Sequence, residues 1–343
     1  MLRRDSLSGA IRHRWRKVAA WTGWTPIFAV CAFAAWGYAG FALLWLALWA
    51  ATGEALLPVR LALHFAAWIA LGLIAVSVFA LAHRRWRLAA LAVPFAVLLA
   101  LPYVPQFAPR FNGSQIGEGA FTVMSYSVMG RNRNADAMAS VILKERPDIL
   151  FLQELHVASD LLERINGLYG GAPVYTESQA RTGLTVISRF PLTSLPPLRG
   201  IQKMVAHLPC GDIHLWNLRA PKTFDGVARQ QRFVAMLAED MRMHKGPALA
   251  AGDFNTTERS ASYAYLRGFV RNAHEEAGFG LGASFPAPGR KLGRFLPAMI
   301  RIDHVFFSGD LVAVDAVVAR WAGGSDHYPV KAKFIRASEK CGL

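Results

Sequence analysis

Pro247-Ala-Leu-Ala-Ala-Gly-Asp-Phe-Asn255 reads as a short apolar strand that ends at Gly252 and sets Asp253 and Asn255 just beyond its carboxyl end. Small apolar residues suit a strand buried on both faces, whose polar tip then projects into a crevice. Asp253 and Asn255 are two apart, so a continuing pleat points them to one side. There a carboxylate orients water and an amide donates to a phosphoryl oxygen, a pairing suited to phosphate-ester hydrolysis. The same residues also make a Gly-Asp turn with an Asn cap. The surrounding chain decides between the two.

Outward from this stretch, strand-like runs alternate with helical ones in the rhythm of an α/β domain. Ala120–Tyr126 is rich in β-formers, Asn134–Glu145 has helical character, and Asp148-Ile-Leu-Phe-Leu-Gln-Glu154 is a buried-strand run closing on an acid. A carboxylate at such a tip suits a hard divalent cation, although Glu154 equally suits a helix cap near Ser159. Lys203–Leu208 and Asp212–Leu218 read as a hairpin, and Asp225–His244 as an amphipathic helix. A Gly/Pro/Ala-rich loop, Gly278–Leu296, is basic at Arg290, Lys291 and Arg294. Strands Arg301–Ser308 and Val312–Ala319 precede Ser325-Asp-His-Tyr-Pro-Val330. Asp303 with Asp326-His327 permits a carboxylate-oriented imidazole, which can hold a phosphoryl oxygen or pass a proton. His156, His207, His214 and His244 show no ligand spacing.

Leu-Gln-Glu154, Gly183 with Ser188-Arg-Phe-Pro191, Gly-Asp253-Phe-Asn255, Ile-Asp303-His-Val-Phe and Ser-Asp326-His327-Tyr-Pro resemble, in this order, the endonuclease/exonuclease/phosphatase superfamily with the deoxyribonuclease-I-like fold. The likeness runs from about Ala120 to Ile335 and is closest to bacterial members with amino-terminal membrane spans. It implies a four-layer α/β sandwich, two packed β-sheets flanked by helices, and a phosphoesterase dependent on Mg2+ or Mn2+. By position, Glu154 would be the main metal ligand with Asp326 as a second. Asp253 would orient or deprotonate water, Asn255 would steady the transition state, and His327, held by Asp303, would contact the scissile phosphate. Two departures follow from the same comparison. Ser127 stands where a metal-side Asn is usual, with less reach. Arg219 replaces a histidine and can clamp phosphate but not give up a proton. Asn217 is retained, and Lys222 adds a second cation for substrate. The rival implication is a domain that keeps the fold, has lost catalysis and binds an anion through Arg219, Lys222 and His327.

The first third of the chain is of a different kind. The protein has 343 residues, 53% of them hydrophobic, with a mean hydropathy of +0.26. Pro26–Ala50 and Leu61–Ala82 are each long enough to cross a bilayer core of about 30 Å as helices. A third stretch, Leu88–Phe107, contains Pro94, Pro102 and Pro105, which predicts a kink or an early end. Trp21, Trp24, Trp45, Trp49 and Trp86 fall near the predicted ends. Six Lys and Arg precede the first span, Arg60 alone lies between the first two, and Arg84, Arg85 and Arg87 follow the second. The positive-inside rule then puts the amino terminus in the cytoplasm and everything after Phe107 on the outer, periplasmic side of the inner membrane.

The expected organisation is a basic amino terminus over 1–20, an all-helical membrane segment of three helices over 21–108, a linker over 109–119 and the α/β domain over 120–338. Net charge is +15. Ten of the 38 Lys and Arg and two of the 23 Asp and Glu precede Arg110, leaving 28 cations against 21 anions beyond it. That excess suits a phosphate-bearing substrate or an anionic lipid surface. The expected partners are therefore a lipid bilayer and a phosphate ester, either a lipid headgroup, a small ester or nucleic acid; nothing in the sequence points to a protein partner. Of the three cysteines, Cys210 and Cys341 share the outer domain, where a disulfide is permitted.

Overall fold

Trp24–Thr52 carries no charged side chain over 29 residues and forms one helix. It belongs to the first of two units in the computed structural model, which describes residues 24–108, 119–156, 158–289 and 291–337. The helices Ala66–Ala82 and Trp86–Ala100 complete that unit. Ala35 and Ala39 pack with Val76, Ala80, Leu88 and Ala92; small side chains let apolar helices approach closely. Pro94 lies inside the last helix, which gives way at Leu101 to a 3-10 turn through Phe107. Pro26–Thr52 and Trp86–Phe107 are long and apolar enough to cross a membrane, and a third crossing exists if Leu57–His64 and Ala66–Ala82 form one bent span. The basic residues before the first span, most of the linker, and Arg290 lie outside the described residues.

The expected second span, Leu61–Ala82, is bent by 75° in the structure. It is two helices, Leu57–His64 and Ala66–Ala82, interrupted at Phe65, and Thr52–Ala66 belongs to the second unit. Polar side chains explain the break. Arg60 donates to the Glu54 carbonyl, and His64 bonds Thr223 and Thr257 in the second unit.

In that unit two six-stranded sheets face each other. The first takes β1 (Phe121–Ser127), β2 (Ile149–Gln153), β3 (Tyr175–Gln179), β4 (Leu184–Ser188), β11 (Leu311–Val318) and β12 (Val330–Arg336), in the order β11-β12-β1-β2-β4-β3. The second takes β5 (Leu192–Leu198), β6 (Ile201–Leu208), β7 (Gly211–Arg219), β8 (Ala248–Asp253), β9 (Arg271–Asn272) and β10 (Asp303–Ser308), in the order β5-β6-β7-β8-β10-β9. Helices Ala135–Glu145 and Ala158–Arg164 pack on the outside of the first sheet. Val227–Met243 and Ala261–Arg267 pack on the outside of the second. The four-layer sandwich expected from the sequence is the fold.

Side chains alternate along each strand, so one set from each sheet meets in the middle. Phe121 and Val123 of β1, Ile149 and Phe151 of β2, Leu249 and Ala251 of β8, and Val305 and Phe307 of β10 form this apolar centre. The same alternation continues toward one end of the sandwich and changes character there. On β1 it reaches Ser125 and Ser127, on β2 Gln153, on β7 Asn217 and Arg219, on β8 Asp253 and on β10 Asp303. The core therefore turns polar at one end without a change of fold. Cys210 is buried on the core and disulfide-bonded; Cys341, with which a disulfide is permitted, lies outside the described residues.

Candidate active site

Strand register brings the polar tips together. β8 lies between a parallel β7 and an antiparallel β10, with Arg219 and Asp303 both paired with Asp253. Three charged side chains thus stand side by side in one row. Gly252 permits the close pairing, because a Cβ there would collide with the Leu218 carbonyl oxygen. In the facing sheet Ser127 pairs with Gln153, and the next residue, Glu154, turns out of the strand with φ +60°.

The loop before β12 supplies the rest. His327 Nδ1 lies 2.9 Å from Asp303 Oδ2, which also accepts the Ser284 hydroxyl at 2.7 Å. Phe285 packs its ring 4.9 Å from the imidazole. Burial opposes charge on His327, but the adjoining Asp303 carboxylate outweighs it and lifts the pKa to about 9. His327 is therefore an imidazolium at neutral pH, held in one orientation. Asp253 is 1% exposed. Its burial pushes the carboxyl up to about 6, against the pull of His327 and Arg219. Asp253, Asp303 and His327 place one ligand atom each within 4.8 Å of one another, close enough to hold a metal ion. Asn255 engages both Asp253 oxygens, and Ser284 and His327 engage Asp303 Oδ2, while the buried Asp303 Oδ1 has no hydrogen-bond partner.

Asn255 does not continue the pleat. Its φ is +48°, and it folds back so that its backbone N–H reaches Asp253 Oδ1 at 2.9 Å and its amide reaches Asp253 Oδ2 at 3.0 Å and the Ala220 carbonyl at 2.9 Å. Both amide hydrogens are committed. Asn255 thus fixes the Asp253 carboxylate, where the sequence suggested a donor to the phosphoryl group.

Glu154 faces Arg219. Its Oε1 lies 2.8 Å from the guanidinium, which also approaches Asp253 at 3.7 Å, and its Oε2 accepts the Gly130 N–H at 3.1 Å. The family resemblance implies a divalent cation, and the donor chemistry here fits one. Glu154 and Asp326 are hard oxygen donors lining one cavity, and the buried Ser127 hydroxyl has no hydrogen-bond partner. Asn217 is fully buried and is not among the residues that line this cavity. Its amide donates to the Leu152 and Thr185 carbonyls of the first sheet and to Gln202, while Gln153 donates to its oxygen. It ties the two sheets together behind the site.

Glu154, Arg219, Lys222, Asp253, Asn255, Asp326 and His327 line a cavity of about 320 Å³. Asp303, bonded to His327, and the fully buried Ser127 are not among the residues lining it. The same cavity has walls that sequence reasoning did not assign. Leu61, His64 and Phe65 come from the Leu57–His64 helix and its end, and Phe224, Phe285, Ile300 and Ile302 from the loops. His64 Nε2 lies 2.8 Å from Thr223 Oγ1, which in turn donates to the Asn255 carbonyl. A polar Arg60 and His64 in an otherwise apolar run were the available signal for that segment.

Comparison with known proteins agrees with this geometry. Residues 120–327 match the model of the Endonuclease/Exonuclease/phosphatase family. Over 124 residues the chain is 32% identical to the UPF0294 proteins VV2535 and VV1_1880 of Vibrio vulnificus strains YJ016 and CMCP6, a stretch covering 36% of this chain and 40% of each relative. Truncated TDP2 from Caenorhabditis elegans superposes with a TM-score of 0.51 at 20% identity, covering 63% of this chain and 98% of that one. An endonuclease/exonuclease/phosphatase family protein from Bacteroides thetaiotaomicron gives 0.51 at 17%, covering 65% and 98%. At these identities the two structures are similar in fold alone.

Proposed function

This chain belongs to the Endonuclease/Exonuclease/phosphatase family, and from that premise we propose that it is a membrane-anchored phosphoesterase that uses Mg2+ or Mn2+. The observation that carries the reading is the row Arg219–Asp253–Asp303, with His327 bonded to Asp303 and Glu154 facing the row from the other sheet. Glu154 and Asp326, with the unpartnered Ser127 hydroxyl, are the residues that would hold the cation, which when bound neutralises phosphoryl charge. Asp253, fixed by Asn255, takes the proton of the attacking water. The His327 imidazolium, oriented by Asp303, holds a phosphoryl oxygen through its other ring nitrogen. Lys222 and Arg219 add positive charge for the substrate.

The outward orientation rests on the charge pattern and on three crossings, of which two helices, Pro26–Thr52 and Trp86–Phe107, are long and apolar enough singly. With the basic amino terminus in the cytoplasm, the phosphoesterase unit faces outward.

The reading is tested by release of 4-nitrophenol from bis(4-nitrophenyl) phosphate by the full chain in detergent. Turnover is abolished by EDTA and restored by Mn2+. A base must be ionised to act, and Asp253 titrates at about 6, so kcat/KM rises with pH below that value and levels off above it. A rate indifferent to EDTA counts against the proposal. The second reading, an anion-binding domain without turnover, draws on the Arg219–Glu154 pair; it predicts no nitrophenol under any metal.

A further inference from the structure

The cavity over the row is not the open basic groove that a nucleic acid backbone needs. Its floor is charged, but its walls are Leu61, Phe65, Phe224, Phe285, Ile300 and Ile302. Two of the apolar lining residues reach the surface: Phe224 is 69% exposed and Leu292 53%. One wall comes from the segment joining the first membrane helix to the next. That segment is fastened to the site: Glu54 accepts the Ala261 N–H, and His64 bonds Thr223 and Thr257. A site that bound only a phosphate and a sugar would leave these walls facing water, at a cost in exposed apolar surface.

We infer that the substrate is an amphiphile, a phosphate ester of a long-chain alcohol, whose phosphate lies on the charged floor and whose apolar chain runs along the Leu57–Phe65 wall to the mouth. This rests on the phosphoesterase reading and names its substrate class. Tethering beside a bilayer supplies such a molecule without release into water. Cleavage is hydrolytic: water adds to phosphorus, the P–O bond to the leaving alcohol breaks, and that oxygen leaves with a proton. The chemistry is shared by phosphomonoesters and phosphodiesters of lipid alcohols.

The test uses the full chain in amphipol and two homologous series from ethyl to octyl: alkyl 4-nitrophenyl phosphates for turnover, and alkyl phosphonates for binding by calorimetry. Each methylene that enters an apolar wall tightens binding about fourfold. Leu61→Asn and Phe224→Ser, checked for wild-type melting, should reduce that slope by half or more. Partition into the carrier is common to wild type and variants, so the difference in slope is the readout. A flat series, or equal slopes in all three proteins, overturns the inference; if the ethyl ester is still cleaved, the phosphoesterase reading survives it. If no ester is cleaved but the phosphonate slope holds and falls in the variants, the apolar wall is supported and the phosphoesterase reading fails. Displacement of octyl phosphonate by a thymidine oligonucleotide at lower concentration overturns the inference in favour of nucleic acid. Comparing dialkyl with monoalkyl phosphates then separates diester from monoester sources.

Discussion

Asp253→Asn lowers kcat by about a thousandfold, within the range for loss of a general base, and leaves the protein as stable as wild type or more so at pH 8. The two halves of that result come from one observation. Asp253 is buried, and burial raises its pKa to about 6. The folded chain thus holds a proton that the unfolded chain releases from about pH 4 upward. Stability contributed by that proton is full below the unfolded pKa and is lost as pH rises through about 6. At pH 8 the buried charge on Asp253 opposes folding, and a neutral amide removes that cost while giving up one of the two hydrogen bonds from Asn255, so the two changes offset. Loss of activity with unchanged melting marks a reacting group. Loss of both marks a structural one. The measurement is kcat on bis(4-nitrophenyl) phosphate beside the melting temperature by tryptophan fluorescence.

Arg219→Ala tightens Mn2+ binding about tenfold or more. In the structure the guanidinium holds Glu154 Oε1 at 2.8 Å, so an incoming cation must displace one positive charge and lie beside it. At an effective dielectric near 20, unit charges about 4 Å apart interact by about 4 kcal/mol. Arg219 is about a third exposed, so solvent screens much of this, and the tenfold figure reflects that. The same variant removes a charge that lowers the Asp253 pKa, so the acid limb of kcat/KM moves to higher pH. Titration of Mn2+ by electron paramagnetic resonance reads the first effect, and a pH profile reads the second. Unchanged affinity with an unchanged limb would separate Arg219 from both carboxylates.

Most of this site can be read from local sequence, because each tip is a strand end with a polar residue after an apolar run. Ala248–Asp253 and Ile149–Gln153 are of this kind. What resists reading is non-local. Asn217 looks like a substrate contact until the two sheets are packed, when its amide is seen to bridge Leu152, Thr185 and Gln202. Asn255 depends on a positive φ that period-two reasoning does not anticipate. β3 and β5 are edge strands; the first is polar and the second contains Pro196 and Pro197, and edges tolerate both. β12 alternates clearly, but it follows the Asp-His motif so closely that the motif masks it. The Leu57–His64 helix is apolar enough to pass for membrane, and hydropathy cannot tell lipid from the wall of a cavity.

The central claim is a division of labour between neighbouring acids: Glu154 with Asp326 for the cation, Asp253 with Asp303 and His327 for the proton and the phosphoryl group. Mn2+ binding isotherms of Glu154→Gln and Asp303→Asn, on full-length protein with wild-type melting, test it most directly. The account predicts that Glu154→Gln weakens Mn2+ at least tenfold while Asp303→Asn binds it as wild type does. Weakened binding in Asp303→Asn with wild-type affinity in Glu154→Gln would place the ion in the Asp253–Asp303–His327 cluster and contradict the account.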